Sequence, residues 1–346
     1  MTTTKKAWPA SDLEQVPTCP ACGQIERELA HKGLTDLIFH AADGEWSMYQ
    51  CLHCRSNFLD PRPTSSSIGR AYTIYYTHES PEITNINKGK FRDLFRGALN
   101  DYINCKYNLH RGPTSIIGRW LIPLIAPLKN KADCEIRYLP RQKNAPGRLL
   151  DVGCGNGSYL LLAREAGWEV EGIDFDPTAV KTAQKLGLNV HIGGIDSVSN
   201  KIENYDAITL SHIIEHVHNP VAFLETCYSL LKKGGQLWLE TPNIESLLST
   251  AYGQYWRGLE PPRHLIIFNR ESLNSILINI GFCNIRQHYN PGVFYMSNQS
   301  EKIKYSSDPK LNKKFEKSQL PKKFAQELIE FMIQGRREFI TLTATK

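Results

Sequence analysis

Residues 151–157 read Asp-Val-Gly-Cys-Gly-Asn-Gly, and this stretch decides the fold of the chain. One apolar run, beginning at Arg148, leads into it, and a second, beginning at Ser158, leads out of it. Glycine has no Cβ, so the backbone can turn tightly here and approach a ligand closely. The stretch therefore predicts a strand, a glycine bend and a helix, with a ligand site over the bend.

The acid ahead of the first glycine indicates the charge of that ligand. Asp151 would repel a pyrophosphate, and Ser158 stands where the third glycine of a dinucleotide-binding fingerprint would fall. A cation suits the carboxylate better, and S-adenosylmethionine carries both an ammonium and a sulfonium group. A second apolar strand ends in Asp174, about 20 residues further on, where a βαβ unit places the acceptor for ribose hydroxyls.

Two later segments continue the alternation of strands and helices that begins at the glycine bend. Residues 205–220 look like a fourth strand with its loop, and residues 230–243 like a helix end, a Gly-Gly turn and a fifth strand. From roughly residue 147 to 282, plus a final strand, the chain resembles the class I S-adenosylmethionine-dependent methyltransferases. The alternative is a glycine-rich turn in another α/β fold.

The resemblance implies an α/β architecture: a doubly wound, Rossmann-like sheet of seven strands, the last one antiparallel, preceded by a small zinc ribbon. Alternating β and α patterns support this class. Strands are expected near residues 148–152, 169–173, 188–192, 206–210, 236–240, 283–288 and 338–345.

Ligands of an open α/β sheet bind beyond the carboxyl ends of its strands, so the resemblance implies a donor site built from the loops that follow them. A solvated loop acid is the alternative reading of Asp196. The expected donor-binding residues are Asp151, Gly153, Cys154, Gly155 and Gly157 for the methionine part, Asp174 for the ribose, Phe175, Ile195 and Asp196 around the adenine, and Ser211 and His212 near the methionine end.

Four of the nine cysteines predict a metal site near the front of the chain. Cys19 and Cys22 form one Cys-x-x-Cys pair, and Cys51 and Cys54 form another. Two such pairs can place four thiolates around one Zn²⁺, and a site with four sulfur ligands is closed to catalysis. A structural zinc ribbon is therefore expected. The alternative is two unrelated cysteine pairs.

The front of the chain also resembles zinc-ribbon methyltransferases that include sugar C-methyltransferases. The shared features are the ribbon, Asp60-Pro-Arg-Pro and the tyrosines that follow it. The resemblance implies that Tyr76 folds over the acceptor pocket and that His264 is the general base. Arg263 stands where those enzymes have Glu; there it would lower the pKa of His264 and grip a phosphate or carboxylate. Core packing of Tyr76 and structural hydrogen bonding by His264 are the alternatives.

A second metal is a weaker hypothesis. The region of His212, Glu215 and His216 resembles quinone O-methyltransferases, whose acid-x-x-Glu-His motif can hold a divalent cation. His212 replaces the first acid of that motif here. Packing and hydrogen bonding by these side chains are therefore favoured over a metal.

We predict three regions: a zinc ribbon (1–62), a helical connecting and substrate-lid region (63–146) and a donor-binding methyltransferase domain (147–346). The apolar run at residues 116–128 is broken by Pro123 and Pro127 and is too short to cross a bilayer. Packing on the main domain is favoured over lining the substrate entrance or peripheral membrane contact. The N-terminus has no apolar stretch behind its lysines, so a cytoplasmic protein is expected.

Net charge does not single out a nucleic-acid partner. The chain carries +6, and residues 301–346 supply +5 of it with eleven basic and six acidic residues, as a solvated helix would. The leading hypothesis is methyl transfer to a small-molecule acceptor: a sugar, a lipid-linked intermediate or an anionic metabolite. A ribosomal or transfer RNA methyltransferase is the alternative, disfavoured because the ribbon is not basic and Thr241-Pro-Asn does not match an Asn-Pro-Pro-Tyr motif. A non-catalytic binding module is the third hypothesis.

Overall fold

The structure, a computed structural model, describes residues 8–73, 90–140, 145–307, 329 and 332–346. Tyr76 lies outside these residues, so its predicted role stays a prediction. The strands are β1 (Leu13–Glu14), β2 (Arg27–Leu34), β3 (Trp46–Cys51), β4 (Asn57–Leu59), β5 (Arg62–Pro63), β6 (Arg148–Val152), β7 (Glu169–Asp174), β8 (Asn189–Ile192), β9 (Tyr205–Ser211), β10 (Leu231–Pro242), β11 (Ile266–Ile267), β12 (Cys283–His288) and β13 (Phe339–Thr345). The α-helices are α1 (Lys90–Tyr107), α2 (Gly118–Leu121), α3 (Ala126–Glu135), α4 (Ser158–Glu165), α5 (Pro177–Lys185), α6 (Pro220–Leu230), α7 (Leu247–Tyr252), α8 (Arg270–Ile280) and α9 (Val293–Ser307).

The main sheet has seven strands in the order β12-β13-β10-β9-β6-β7-β8. The last strand, β13, is antiparallel to both of its neighbours, whereas β10, β9, β6, β7 and β8 run parallel. This confirms the predicted doubly wound fold. The order reverses between β6 and β9, and a ligand crevice is expected at such a switch point, beyond the carboxyl ends of the strands.

Local sequence sets the helix ends around this crevice. The Asp176 side chain accepts a hydrogen bond from the Thr178 amide at 2.8 Å and so caps the start of α5. Asn269 and Ser272 form a capping box at the start of α8, and Gly281 ends that helix with a left-handed φ of 116°. These caps fix where the chain leaves each strand.

The ribbon and the main domain share a core. The ribbon sheet has the order β11-β4-β3-β2, and its edge strand β11 comes from the large domain. Ile266 pairs with Phe58 across that junction, and Phe58 and Cys19 are buried in the same cluster as the main sheet. Separate folding of residues 1–62 is therefore not expected.

In the connecting region, the apolar run at residues 116–128 was expected to pack on the main domain, and most of it does not. The helices α1 and α3 of this region have a buried centre, where the Tyr102 and Tyr107 hydroxyls donate to Asp133 at 2.8 and 2.7 Å. In the apolar run, however, Trp120 is 73% exposed and Leu124 is 80% exposed. Packing on the main domain was the wrong interpretation for most of this run. None of the helices in the described part of the chain has the length and apolar character that a bilayer crossing needs.

Candidate functional site

The glycine bend after β6 contains glycines with two different roles. Gly153 has a φ of 71°, and a Cβ added there would lie 2.1 Å from Ile213 Cδ1, in the loop after β9. Gly155 has a φ of 53°, yet a Cβ added there would meet nothing within 4 Å. Close packing thus explains Gly153, whereas Gly155 borders open space where a ligand could approach the backbone.

Asp174, at the carboxyl end of β7, supports the bend. One carboxylate oxygen accepts from the Gly155 amide and the other from the Asp176 amide, each at 2.8 Å. Burial raises the pKa of Asp174, and the two amides oppose that change. Phe175 follows it with 78% of its surface exposed, and its ring would lie 2.7 Å from a Cβ at Gly194. The side chains predicted for the ribose and adenine therefore lie beside the bend.

A buried ion pair lies beneath the same edge of the sheet. The Arg137 guanidinium donates to Asp151 Oδ1 and to the Thr209 hydroxyl, and Thr209 also donates to Asp151 Oδ1 at 2.7 Å. Arg137 stacks 3.6 Å from the Tyr159 ring centroid. Asp151 Oδ2 is buried and has no hydrogen-bond partner among the described residues. Burial raises the pKa of Asp151, whereas Arg137 and Thr209 stabilise its anion.

Sequence reasoning missed Arg137. It stands alone between α3 and β6 in a segment without a motif, and its left-handed φ of 50° could not be foreseen. The pair that it forms with Asp151 places one positive and one negative charge near the glycine bend. Such a pair complements an amino-acid zwitterion.

His212 is held by two acids in the loop after β9. Its Nδ1 lies 3.2 Å from Glu215 Oε1 and its Nε2 lies 3.4 Å from Glu240 Oε1. Burial opposes a positive charge on His212, but the two carboxylates outweigh burial and raise its pKa well above the ordinary value. Ser211, the last residue of β9, pairs with Glu240 of β10. The two carboxylates therefore favour the protonated form of His212, at the expected edge of the donor site.

Three side chains from two segments meet beside this loop: Glu215, His216 and His264. Their ligand atoms all lie within 4.8 Å of one another. The Leu265 amide donates to the Glu215 carbonyl at 2.8 Å, which holds His264 at the carboxyl end of β9. Since β9 neighbours β6, this cluster lies at the same edge of the sheet as the glycine bend.

Backbone carbonyls fix the tautomers of both histidines. His264 Nδ1 lies 2.7 Å from the Gly258 carbonyl and His216 Nδ1 lies 2.9 Å from the Arg263 carbonyl. A carbonyl only accepts, so each Nδ1 carries the proton and each neutral ring keeps a lone pair on Nε2. Burial lowers the pKa of His264 to about 4. The Tyr72 hydroxyl lies 3.0 Å from His216 Nδ1.

This cluster can hold a proton or a divalent cation. Two imidazole nitrogens and a carboxylate are suitable metal ligands, and a neutral imidazole with an oriented Nδ1–H is also a suitable base. The sequence suggested His212 as the third ligand beside Glu215 and His216. In the structure His264 is the third member of the cluster, and His212 instead pairs with Glu215 and Glu240. Only the tertiary structure brings His264 next to Glu215.

Arg263 does not point toward a ligand. Its guanidinium is fully buried, forms a two-pronged ion pair with Asp36 at 2.6 and 3.0 Å, and donates to Glu260 at 2.8 Å and to the Ala71 carbonyl at 2.9 Å. The N–H groups of Arg263 therefore bond to oxygens of the protein, whereas the sequence analysis expected them to bind a phosphate or carboxylate of the methyl acceptor. Arg263 instead joins the ribbon to the segment that carries His264, and this differs from the expected role.

Three other residues predicted to bind the methyl donor differ in how far they are exposed. Ile195 is 5% exposed, and its side chain belongs to the main core. Asp196 is exposed. Cys154 is buried, and its Sγ would lie 2.7 Å from a Cβ at Gly172 of β7. The Cys154 side chain therefore packs on the sheet, which leaves its backbone for a ligand.

The four predicted cysteines come together at the front of the chain. Cys19 Sγ lies 3.6 Å from Cys54 Sγ, and Cys22 Sγ lies 3.6 Å from Cys51 Sγ. A tetrahedral zinc site with Zn–S bonds near 2.3 Å requires sulfur–sulfur separations of about 3.8 Å. The cluster is compatible with a zinc ribbon.

The two cysteine turns have the same backbone geometry. The Gly23 amide donates to the Cys19 carbonyl at 2.8 Å, and the Arg55 amide donates to the Cys51 carbonyl at 2.9 Å. Gly23 has a φ of 75° and Arg55 a φ of 61°. Arg55 replaces the usual glycine and forms ion pairs with Glu245 and Glu271 at 3.1 and 2.6 Å, which hold the turn against the main domain.

Comparisons with known proteins agree with this geometry. Residues 128–287 match the family model described as a methyltransferase domain. A ubiquinone biosynthesis O-methyltransferase of Xanthomonas campestris is 34% identical over 126 residues, which cover 34% of this chain and 52% of that protein. The protein of the same name from Coxiella burnetii is 30% identical over 128 residues, covering 34% and 55%. The matched segment thus spans about half the length of these relatives.

Solved structures are also similar to this chain. A crystal structure of a SAM-dependent methyltransferase from Archaeoglobus fulgidus is 22% identical to this chain, with a TM-score of 0.43. It covers 64% of this chain and 94% of its own.

Proposed function

Starting from the methyltransferase domain that this chain carries, we propose that it transfers the methyl group of S-adenosylmethionine to a hydroxyl oxygen of a small-molecule acceptor. The observation that carries this proposal is the shared edge of the sheet. There the glycine bend and the neutral imidazole of His264 lie beyond the adjacent strands β6 and β9. This arrangement supports a donor site next to a base.

The donor site fits the chemistry of S-adenosylmethionine. Gly155 borders open space, the exposed Phe175 ring supplies an aromatic surface for adenine, and Asp174 supplies the acceptor for ribose hydroxyls. The Arg137–Asp151 pair would receive the carboxylate and the ammonium of the methionine part. Oδ2 of Asp151 lacks a partner among the described side chains, and an ammonium donor would satisfy it.

When bound, S-adenosylmethionine supplies a methyl group on a positively charged sulfur. The protein's own contribution is alignment and proton removal. His264 Nε2 would accept the hydroxyl proton, and the Gly258 carbonyl holds the ring in the tautomer that makes this nitrogen basic. Glu260 Oε2 lies 3.8 Å from that nitrogen, and the fully buried Glu215 lies within 4.8 Å of a His264 ring nitrogen. Both carboxylates would stabilise the imidazolium that forms.

Oxygen is the acceptor atom that best fits this arrangement. A hydroxyl must lose a proton as its oxygen is methylated, and a buried neutral histidine is suited to take it. The relatives named ubiquinone biosynthesis O-methyltransferases support the same choice.

We also propose that Cys19, Cys22, Cys51 and Cys54 bind one structural Zn²⁺. Their sulfur separations suit a tetrahedral site, and four thiolates leave no open coordination position. The zinc would hold the ribbon, and through it the His264 segment, against the main domain.

A labelled-methyl assay tests the proposed function. The full chain would be incubated with methyl-labelled S-adenosylmethionine and, separately, phenolic small molecules, sugars and total RNA. Label in an ether of a phenolic or sugar hydroxyl supports the proposal. Label in RNA, lost steeply as salt rises, would support the RNA alternative instead, and donor binding without transfer to any hydroxyl would contradict the proposed chemistry.

A further inference from the structure

The arginines beside His264 are bound to buried acids. Arg263 forms its two-pronged pair with Asp36 and donates from Nε to Glu260 Oε1 at 2.8 Å. Arg257 pairs with Oε2, the other oxygen of the same carboxylate. Arg263 is fully buried and Arg257 is mostly buried. Both guanidinium charges are therefore balanced within the protein.

Glu260 lies between these arginines and the proposed base. Its Oε2 is 3.8 Å from His264 Nε2, its side chain is 3% exposed, and its backbone has a left-handed φ of 32°. Such strain at a residue other than glycine persists where the surrounding structure requires that residue. Burial raises the pKa of Glu260, but the neighbouring positive charges outweigh burial and bring the pKa to about 2. A carboxylate therefore faces the nitrogen that would take the hydroxyl proton.

Glu215 places a second carboxylate within 4.8 Å of a His264 ring nitrogen. Its Oε1 lies 3.2 Å from His212 Nδ1, and its Oε2 accepts from the Thr241 hydroxyl at 3.0 Å. His212 Nε2 lies 3.4 Å from Glu240 Oε1. A neutral imidazole has a single N–H, so only the protonated ring can donate to both acids. One imidazolium thus stands between two buried carboxylates.

This network carries one more negative than positive charge. Methyl transfer to a hydroxyl keeps one positive charge in the site: the sulfur–methyl bond breaks with its electron pair left on sulfur, the oxygen–methyl bond forms, and the hydroxyl proton moves to His264 Nε2. The excess negative charge balances that positive charge before and after the reaction, and an uncharged acceptor preserves the balance. The members of the network are the carboxylates of Asp36, Glu215, Glu240 and Glu260 and the cations of Arg257, Arg263 and His212.

We infer that the methyl acceptor is uncharged at its reacting end and that Glu260 excludes a carboxylate or phosphate there. The inference rests on the proposed methyl transfer to a hydroxyl. An anionic group beside the reacting hydroxyl would lie near the carboxylates of Glu260 and Glu215, in a buried site where charges are poorly screened. A second hydroxyl of the acceptor could donate to Glu260, because carboxylate oxygens accept hydrogen bonds. This assignment replaces the anionic acceptor that Arg263 suggested in the sequence.

Three acceptors that carry the same phenol but differ in charge test the inference. They are meta-hydroxybenzyl alcohol, meta-hydroxybenzoate and meta-hydroxybenzylamine, which are neutral, anionic and cationic at neutral pH. The full chain is assayed with methyl-labelled S-adenosylmethionine and a chelator, so that no divalent cation masks the acids. We expect kcat/KM for the alcohol to exceed that for the benzoate at least about a hundredfold and to exceed that for the amine. A benzoate or an amine that reacts as fast as the alcohol would overturn the inference.

Glu260→Gln should weaken the selection against the anion. The amide is neutral and of similar size, and it leaves Arg257 and Arg263 without one carboxylate partner. The alcohol-to-benzoate ratio of kcat/KM should therefore fall at least about tenfold, whatever the loss of absolute rate from a less stable imidazolium. Glu271→Gln, at an acid that is 67% exposed and pairs with Arg55, removes the same charge elsewhere and should keep the wild-type ratio.

An unchanged ratio in a Glu260→Gln protein that melts cooperatively would overturn the role of Glu260. If that variant does not fold, the wild-type series still decides the charge of the acceptor.

Titration with inorganic phosphate separates this inference from the proposed function, because it needs no turnover. The imidazole resonances of His264, identified by their loss in His264→Asn, are followed by NMR in the wild type and in Glu260→Gln. We expect no shift in the wild type up to millimolar phosphate and a saturable shift in Glu260→Gln. A saturable shift in the wild type would overturn the inference even if methyl transfer occurs. The expected phosphate result without labelled ether from any acceptor would contradict the proposed function and still support the exclusion of anions by Glu260.

Discussion

The Arg137 guanidinium donates to the Asp151 carboxylate beneath the glycine bend, and Arg137 also stacks 3.6 Å from the Tyr159 ring centroid. Asp151 belongs to the stretch that decides the fold, whereas Arg137 comes from the end of the connecting region. The proposed donor site therefore draws on two regions of the chain that the sequence analysis treated as separate domains. Changes at each of the glycines, histidines and cysteines around this edge have distinct expected results.

Gly153→Ala and Gly155→Ala should separate packing from ligand contact. At Gly153 the new methyl group would clash with Ile213, so the free energy of unfolding should fall by about 2–3 kcal/mol. At Gly155 the methyl group meets open space, and stability should fall by only about 1 kcal/mol while donor affinity drops at least about tenfold.

Thermal melts and calorimetric titrations measure both quantities. Ile213→Val in the Gly153→Ala background serves as the control, because it removes the clashing Cδ1 atom and should restore part of the stability. Equal donor affinities for Gly155→Ala and the wild type would contradict the assignment of the open space to the donor.

His264→Asn should abolish proton removal while keeping the fold. The asparagine amide can still donate to the Gly258 carbonyl, but nothing replaces Nε2. We expect kcat to fall by about 10²–10⁴ with unchanged donor affinity. Since burial lowers the pKa of His264 to about 4, the wild-type rate should hold down to about pH 5 and fall to half at about pH 4.

A steady-state pH profile with and without added divalent cation decides between a base and a metal ligand. If chelation alone removes the activity and a cation restores it, the cluster of Glu215, His216 and His264 binds a metal, and the role of His264 as base is lost.

His288 should make the protein less stable in acid. It stacks on Tyr138 with ring centroids 3.7 Å apart, and burial lowers its pKa to about 4. An unfolded histidine titrates near 6.5, so the unfolded chain binds the proton first. The stability that depends on neutral His288 is complete above pH 6.5 and is lost as pH falls toward 4, on the order of 1–2 kcal/mol at pH 5.

Urea unfolding at pH 7 and pH 5 measures this loss. His288→Phe keeps the stacked ring without a titrating group, so its pH dependence should be flatter by that amount. His110→Gln, at an exposed histidine, should retain the wild-type slope, and an unchanged slope in His288→Phe would count against the assignment.

Removal of the metal should loosen the ribbon. Cys22→Ser should reduce the zinc content from one ion per chain to near zero and lower the free energy of unfolding by at least about 3 kcal/mol. Cys283→Ser, at an exposed thiol far from the ribbon in sequence, should keep both. Metal analysis by mass spectrometry with thermal melts checks this, and full stability of zinc-free protein would argue against a structural zinc.

The sequence predicted what depends on local pattern. The seven strands of the main sheet follow from periodicity, and the convergence of the four cysteines follows from their spacing. The antiparallel direction of the last strand was implied by the resemblance to the methyltransferase family. The placement of Asp174 next to the glycine bend also follows, because both lie at the carboxyl ends of neighbouring parallel strands.

The sequence did not predict what depends on distant contacts. Arg137 belongs to no motif. Arg263 was expected to bind an anionic group of the methyl acceptor, but its guanidinium forms an ion pair with Asp36 of the ribbon. His264 and Glu215 are brought together by a backbone hydrogen bond between two loops. The apolar run at residues 116–128 was expected to pack on the main domain because apolar residues usually do, and only the fold shows that most of its large side chains are exposed.

Calorimetric titration of S-adenosylmethionine into the full chain tests the central claim most directly. One site per chain is predicted, with affinity weakened at least about tenfold in Asp174→Ala and Arg137→Gln. Asp176→Ala removes the cap of α5 and keeps the Asp176 amide that bonds Asp174. This variant should bind as tightly as the wild type despite about 1 kcal/mol of lost stability. Absence of binding to the wild type, or equal affinity in all four proteins, would contradict a donor site at the glycine bend.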